Sequence, residues 1–305
     1  MAARDVARTQ ASPRFLLMGK SWKLGIIGWP LGYSLSPLMH RAALKAAELE
    51  GAYDEIKVRP EELESWLKSE APKYDGFNVT MPHKEAVYRW LKQNGGIPAS
   101  PPWLDVIGAV NTVKTAEGRL TGANTDDSGF LKSLDVKRLK GKRVLLIGAG
   151  GAAQAIAVSL TWLGHVSALT IWNRHVERAA ALADKVRGLQ VPGNPSVKIV
   201  GGQKISVADV DLIIQATPAG MKGQPDLRLD YEQLHKGQTV YDIVYEPRET
   251  TLIREARKRE CRTVTGDQML VGQAAAAFEI WTGVPAARVL AAMKKALDEH
   301  FAARV

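Results

Sequence analysis

Apolar positions in the first 125 residues alternate between short strand-like runs and helix-spaced sets. Lys23 to Gly28 is an apolar run that ends in the turn Trp29-Pro30-Leu31-Gly32. From Pro37 to Leu49, Leu38, Ala42, Leu44 and Ala47 fall on a helical pattern. Tyr53 to Val58 alternates as a strand, and Pro60 leads into a helix over Glu61 to Leu67. Phe77 to Val79 reads as a further strand. A helix is expected from Pro82 to Leu91, with the proline in a first turn where its missing N–H costs nothing. Ala109 to Lys114 and Arg119 to Thr121 flank Glu117-Gly118 and predict a hairpin. Strands alternating with helices imply a mostly parallel sheet.

A second unit begins near Asp126. Val144-Leu145-Leu146-Ile147 has the unbroken apolar character of a buried strand, and the glycine-rich turn Gly148 to Ala153 opens a helix reaching Leu163. Ala168 to Trp172 and His175 to Arg187 predict the next strand and helix. Leu212 to Ile214 and Thr239 to Tyr241 predict two more strands, each flanked by turn-rich polar segments. Gly188 to Gly202, with Pro192, Gly193 and Pro195, reads as a loop around a short strand at Val197 to Val200. After Gly266 the chain becomes alanine-rich and helical, from Asp267 to Trp281 and from Pro285 to His300. Such a tail is expected to pack back on the earlier domain. The fold class is therefore α/β, in two domains.

Composition agrees with this division, because 305 residues exceed what one core usually serves. The single cysteine, Cys261, excludes an internal disulfide framework and suits a reducing cytoplasm. No apolar run approaches the roughly 20 residues that span a bilayer. Residues 1–22 carry Arg4, Arg8, Arg14 and Lys20 against Asp5 without a signal-peptide core, and read as a flexible tail. The net charge of +9 raises nucleic acid as a partner, but no RNA-reading aromatic motif or basic recognition helix accompanies it. Small anionic ligands account for a basic surface equally well.

Two stretches carry the chemistry. Asn78-Val79-Thr80-Met81-Pro82-His83-Lys84 places polar groups where a strand gives way to a helix, the edge at which α/β sheets bind ligands. The residues alone leave open a plainer reading, with Thr80 as a helix cap and Lys84 solvated. The second stretch is Gly148-x-Gly150-x-x-Ala153 between strand and helix, which lets backbone approach a pyrophosphate at a helix N-terminus. The carboxylate that would hold the ribose hydroxyl of NAD is missing from the end of the next strand. Asn173, Arg174 and, a helical turn later, Arg178 stand there instead, and two arginines can clamp the 2′-phosphate of NADP. No histidine or cysteine cluster offers a metal site.

These stretches occur with several others in one order. They are Gly28-x-Pro30, Ser34-x-Ser36-Pro37, Gly108-Ala109-Val110-Asn111-Thr112, Asn124-Thr125-Asp126, Asn173-Arg174 and Met269-Leu270-x-x-Gln273-Ala274. From Leu24 onward the chain resembles the shikimate dehydrogenase family. The resemblance implies a substrate-binding domain at 23–125 with 266–305, and a Rossmann-type NADP-binding domain at 126–265. It implies Lys84 and Asp126 as the catalytic pair and Ser34 and Ser36 as holders of the substrate carboxylate. Asn78, Thr80, Asn111 and Gln273 would bond the hydroxyls of shikimate or 3-dehydroshikimate, with Tyr245 near the substrate. Gly148, Ala149, Gly150, Gly151, Ala152, Asn173, Arg174, Arg178, Thr217 and Gly266 would serve the cofactor. A soluble cytoplasmic monomer or homodimer of aromatic amino-acid biosynthesis is expected.

Two positions depart from the family pattern. Gln215 stands where asparagine is usual, and His175 where threonine often follows Asn-Arg. The nearest rival is a relative oxidising quinate, or both acids, with NAD. Serine at position 36 and Arg174 favour shikimate and NADP. A second rival is a dinucleotide-binding sensor without turnover, which should have lost Lys84 or Asp126; both are present.

Overall fold

The computed structural model describes residues 19–32, 34–98, 103–134, 136–162, 166–189, 191, 195–201 and 205–303. The expected tail up to residue 18, the helix end at Leu163, and Pro192 and Gly193 lie outside them. The first half carries a five-stranded sheet in the order β2-β1-β3-β4-β5. Its strands are β1 (Trp22–Gly28), β2 (Gly51–Lys57), β3 (Gly76–Val79), β4 (Thr112–Ala116) and β5 (Arg119–Ala123). The first three run parallel, and the expected hairpin adds β4 and β5 antiparallel. Helices α1 (Ser36–Ala47), α2 (Leu63–Ser69), α3 (Lys84–Gln93) and α4 (Trp103–Ile107) connect these strands.

Two local expectations need correcting. Pro82 does not begin a helix: Met81-Pro82 is cis in a tight turn closed by His83 N donating to Thr80 O at 3.0 Å. That turn ends at His83, which is the N-cap of α3, so the helix starts at Lys84, two residues after Pro82. Nor does Thr80 cap that helix, as the plainer reading had it. Leu35 occupies the N-cap of α1 and Ser36 is already helical, buried beside Pro37.

Helix α5 (Asp126–Ser133) leads into a wholly parallel six-stranded sheet. Its strands are β6 (Arg143–Ile147), β7 (Ala168–Asn173), β8 (Ser196–Gly201), β9 (Leu212–Gln215), β10 (Thr239–Asp242) and β11 (Arg262–Thr265), ordered β11-β10-β9-β6-β7-β8. That order reverses between β6 and β9, the switch point at which doubly wound sheets bind dinucleotides. Helices α6 (Gly151–Trp162), α7 (Val176–Arg187) and α8 (Thr251–Lys258) cover this sheet. Then α9 (Gly266–Thr282) and α10 (Ala286–Ala302) return to the first half. Val271, Ala274, Phe278, Trp281, Val289 and Met293 share one apolar core with Trp22, Leu24, Met39 and Tyr53. Trp281 Nε1 donates to Val113 O at 2.8 Å, tying α9 to β4.

A separate apolar cluster joins the two halves. Ile107 and Ala109 pack against Ala155, Val158 and Leu189, with Trp103 against Trp162 at 5.8 Å between ring centres. Among the described residues no helix is long and apolar enough to cross a membrane.

Candidate active site

The first sheet assembles its polar residues through register. Asn78 lies opposite Thr112 in the β3–β4 pair, and Thr112 opposite Ala123 in the hairpin. Strand ends carrying Asn78, Asn111 and Asn124 therefore meet at one edge. Asn124 Oδ1 accepts from Asp126 N at 3.0 Å, and its amide donates to Ala109 O at 2.9 Å, fixing the start of α5. The α3 start is fixed in turn by Val110 N donating to Lys84 O at 3.0 Å.

Lys84 and Asp126 consequently face each other. Lys84 Nζ donates to Asp126 Oδ2 at 2.6 Å, with the lysine side chain 19% exposed and the aspartate 8%. The other carboxylate oxygen accepts from Asn111 Nδ2 at 2.8 Å. Asn111 gives its remaining amide hydrogen to Thr125 Oγ1 at 3.1 Å, and its Oδ1 accepts from Thr125 N at 2.8 Å. The aspartate is thus braced on one side and left with the ammonium on the other. A half-buried ammonium on a fixed carboxylate can give a proton to an oxygen that develops charge in the cleft.

Asn78 is held just as tightly. Its amide donates to Asn111 O at 3.1 Å and Thr112 Oγ1 at 3.2 Å, while Oδ1 accepts from Tyr53 Oη at 2.7 Å. Both amide hydrogens of Asn78 and of Asn111 are engaged within the protein; Asn78 Oδ1, bonded to Tyr53 Oη, keeps acceptor capacity for a ligand, whereas Asn111 Oδ1 already accepts from Thr125 N and the neighbouring threonine hydroxyls. Tyr53, Thr112 and Thr125 were not legible as parts of this network; the buried hydroxyls carry no spacing signal. His40 is another such residue. It lies fully buried one helical turn after Ser36, stacked on Tyr53 at 4.5 Å and beside Trp281. Burial pushes its pKa down to about 3, against a smaller opposing pull from the Asn78 side chain.

Ser34 and Ser36 sit at the β1-to-α1 connection, where Ser36 N donates to Ser34 Oγ at 3.2 Å. Thr80 is half-buried and its N–H donates to Ile27 O. Gln273, half-buried on α9, donates to Leu270 O at 3.1 Å. Tyr245 follows β10, yet packs against the apolar core of the first half.

The glycine loop leaves β6 at the switch point. Gly148 has φ +126°, and a Cβ there would lie 2.6 Å from Ala216 O, so only glycine fits. At Gly150 a Cβ would meet nothing within 4 Å, which leaves an open backbone face ahead of α6. A Cβ on Gly151 would stand 3.6 Å from Lys84 Cδ, so the loop abuts the lysine directly. This cradle suits a dinucleotide pyrophosphate: room above Gly150, backbone N–H groups at the first turn of α6, and no side chain in the way. Asn173 Oδ1 accepts from His175 N at 2.8 Å, which turns the chain so that Arg174 and Arg178 stand exposed beyond β7.

Gln215 ends β9 wholly buried. Its Oε1 accepts from Thr217 N at 2.8 Å and Thr217 Oγ1 at 2.9 Å, while Nε2 donates to Thr217 O and Ala219 O. The longer amide thus closes the loop after β9 on itself. Gly266 has a packing reason, since a Cβ would lie 2.2 Å from Ile243 O. Among the described residues no group of three His, Cys, Asp or Glu side chains could hold a metal ion.

Comparison with known proteins covers most of the chain. Residues 26–113 match the shikimate dehydrogenase substrate binding domain, residues 131–222 the shikimate / quinate 5-dehydrogenase model, and residues 268–297 the shikimate 5'-dehydrogenase C-terminal domain. A shikimate dehydrogenase (NADP(+)) of Methanothermobacter thermautotrophicus is 40% identical over 275 residues, 88% of this chain and 93% of that one. A crystal structure of a shikimate dehydrogenase in complex with NADP+ superposes with a TM-score of 0.82 at 36% identity, covering 92% of this chain and 96% of the other. Ligand-free 5-ketofructose reductase of a Gluconobacter strain reaches 0.79 at 31% identity, over 93% of this chain and all of that one (100%).

Proposed function

The chain belongs to the shikimate dehydrogenase family, and from that membership we propose that it catalyses the reversible NADPH-dependent reduction of 3-dehydroshikimate to shikimate, a step of aromatic amino-acid biosynthesis. The observation that carries this reading is the braced Lys84–Asp126 pair standing against the glycine loop. We assign residues 23–125 and 266–305 to substrate binding and 126–265 to the cofactor. The cofactor, when bound, supplies a hydride to the ring carbonyl carbon. Lys84 Nζ stabilises the oxygen as charge develops on it and gives it a proton. Asp126 orients the ammonium and takes part in returning the proton to Lys84.

Ser34 and Ser36 hold the substrate carboxylate, and Asn78, Thr80, Asn111, Tyr245 and Gln273 surround its hydroxyls. Gly148 to Ala152 cradle the pyrophosphate. Arg174 and Arg178 hold the 2′-phosphate beside Asn173, and Thr217 and Gly266 border the nicotinamide end. A small anionic substrate, a monomer or homodimer, and a cytoplasmic setting complete the assignment.

Paired oxidation assays test the substrate and cofactor together. Shikimate and quinate are each offered with NADP+ and with NAD+. The expected result is the highest kcat/KM for shikimate with NADP+. A preference for quinate with NAD+ would overturn the assignment in favour of the quinate-oxidising relative.

A further inference from the structure

One polar connection crosses between the halves immediately beside the catalytic lysine. Gln154, in the first turn of α6, donates through Nε2 to Glu85 Oε1 at 3.2 Å, and its Oε1 accepts from Lys185 Nζ at 2.6 Å. Glu85 follows Lys84 on α3, and Lys185 belongs to α7. Gln154 is buried while both charged partners are exposed. Its amide therefore lies between an ammonium and a carboxylate, which fixes its orientation: a flipped amide would set N–H against the cation and oxygen against the anion.

Other contacts between the halves are the Lys84–Asp126 pair itself, Trp103 Nε1 donating to Asp127 Oδ2 at 3.2 Å, the Arg248 ion pairs with Asp267 and Asp298, and the apolar cluster of Ile107, Ala109, Ala155, Val158 and Leu189. Apolar burial resists separation but has no directionality, so it tolerates sliding of one face over the other. A hydrogen bond with a charged partner is short-ranged and directional, and on the α6–α3 seam it adds a register constraint that the apolar cluster does not supply. Gln154 lies on the helix opened by the glycine loop, and Glu85 lies next to the proton donor. A change in their separation would shift the glycine loop relative to Lys84, which it abuts at Gly151.

We propose that Gln154 and Glu85 are a positioning pair that holds the cofactor loop at reacting distance from Lys84. The inference rests on the reductase reading above, since it presumes hydride transfer between a cofactor on the loop and a substrate beside the lysine. Neither residue touches the reacting atoms; they act through α6 and α3.

The test uses the full chain and the variants Gln154→Ala, Glu85→Ala and the double variant. NADPH-dependent turnover of 3-dehydroshikimate by the parent is measured first, and its absence would sink the reductase reading rather than this one. Given an active parent, each single variant should lose about tenfold in kcat, because small misplacement of reacting groups is costly. The NADPH dissociation constant from fluorescence titration without substrate, and KM for 3-dehydroshikimate, should stay within about threefold, because the pair binds neither. The double variant should lose no more than either single one, since both break the same link. With NADPH deuterated at the transferred position, the isotope effect on kcat should rise as the mispositioned hydride step becomes limiting. A loss of folded protein alone would leave that isotope effect at the parental value. An unchanged isotope effect, multiplying losses in the double variant, or a kcat within twofold of parent would each overturn the proposal.

Discussion

Asp126 accepts a 2.6 Å hydrogen bond from Lys84 across 42 positions of sequence, and its second oxygen is held by Asn111 at 2.8 Å. A carboxylate bonded on both sides has one orientation, and it gives the ammonium one orientation too. Under the proposed reaction, proton delivery would therefore rest on an arrangement set before any substrate arrives.

Replacing Lys84 with Ala should lower kcat by roughly 10²–10⁴-fold, the range for loss of general acid–base catalysis. NADPH affinity, followed by fluorescence titration, should stay close to the parental value because the pyrophosphate cradle is backbone. Lys84→Arg should rescue little, since a guanidinium keeps its proton near neutral pH. Asp126→Asn should also depress kcat. A Lys84→Ala enzyme that turns over within a few-fold of parent would make the lysine a bystander.

Arg174 stands exposed beyond β7, where a 2′-phosphate would reach it. A charge-assisted contact there contributes roughly 1.5–3 kcal/mol, so Arg174→Ala should weaken NADPH binding by about 10- to 100-fold. NADH binding should barely move. Calorimetric titration with both cofactors measures the difference, and equal losses for the two would remove Arg174 from the phosphate site.

His40 gives a pH dependence of stability whose sign follows from its burial. Its pKa falls to about 3 in the folded protein, against about 6.5 when exposed. Below pH 6.5 the unfolded chain therefore binds a proton that the folded one refuses. Stability is full above that pH and declines as pH falls toward 3, by at most about 1.4 kcal/mol per pH unit from this residue. His40→Phe keeps a ring in the stack and removes the titration. Urea denaturation at pH 6, 5 and 4 should show the variant gaining on the parent at each step; a constant difference would contradict the account.

The parts of the fold visible in the sequence are those with local signals. The β6 apolar run, the glycine turn and α6 could be read because periodicity and loop chemistry agree there. Helix α8 was missed between turn-rich segments, although Leu252, Ile253 and Ala256 form a buried face. Strand β11, Arg-Thr-Val-Thr, has too few apolar positions for its period to show; pairing with β10 makes it a strand. Pro82 misled because it lies in the turn ahead of the N-cap rather than in the first turn of α3. Lys84 and Asp126 were singled out through their motifs, and the structure pairs them. The Tyr53–Asn78–Thr112 bonds and the Glu85–Gln154–Lys185 link were not legible, because they join residues that only tertiary packing brings together.

The central claim is that this chain reduces the ring ketone of 3-dehydroshikimate with NADPH. Its most direct test mixes the purified protein, NADPH and 3-dehydroshikimate and follows absorbance at the nicotinamide band. The account predicts a decline that matches shikimate formed mole for mole and is lost in Lys84→Ala. A steady absorbance with saturating substrate and folded protein would contradict it.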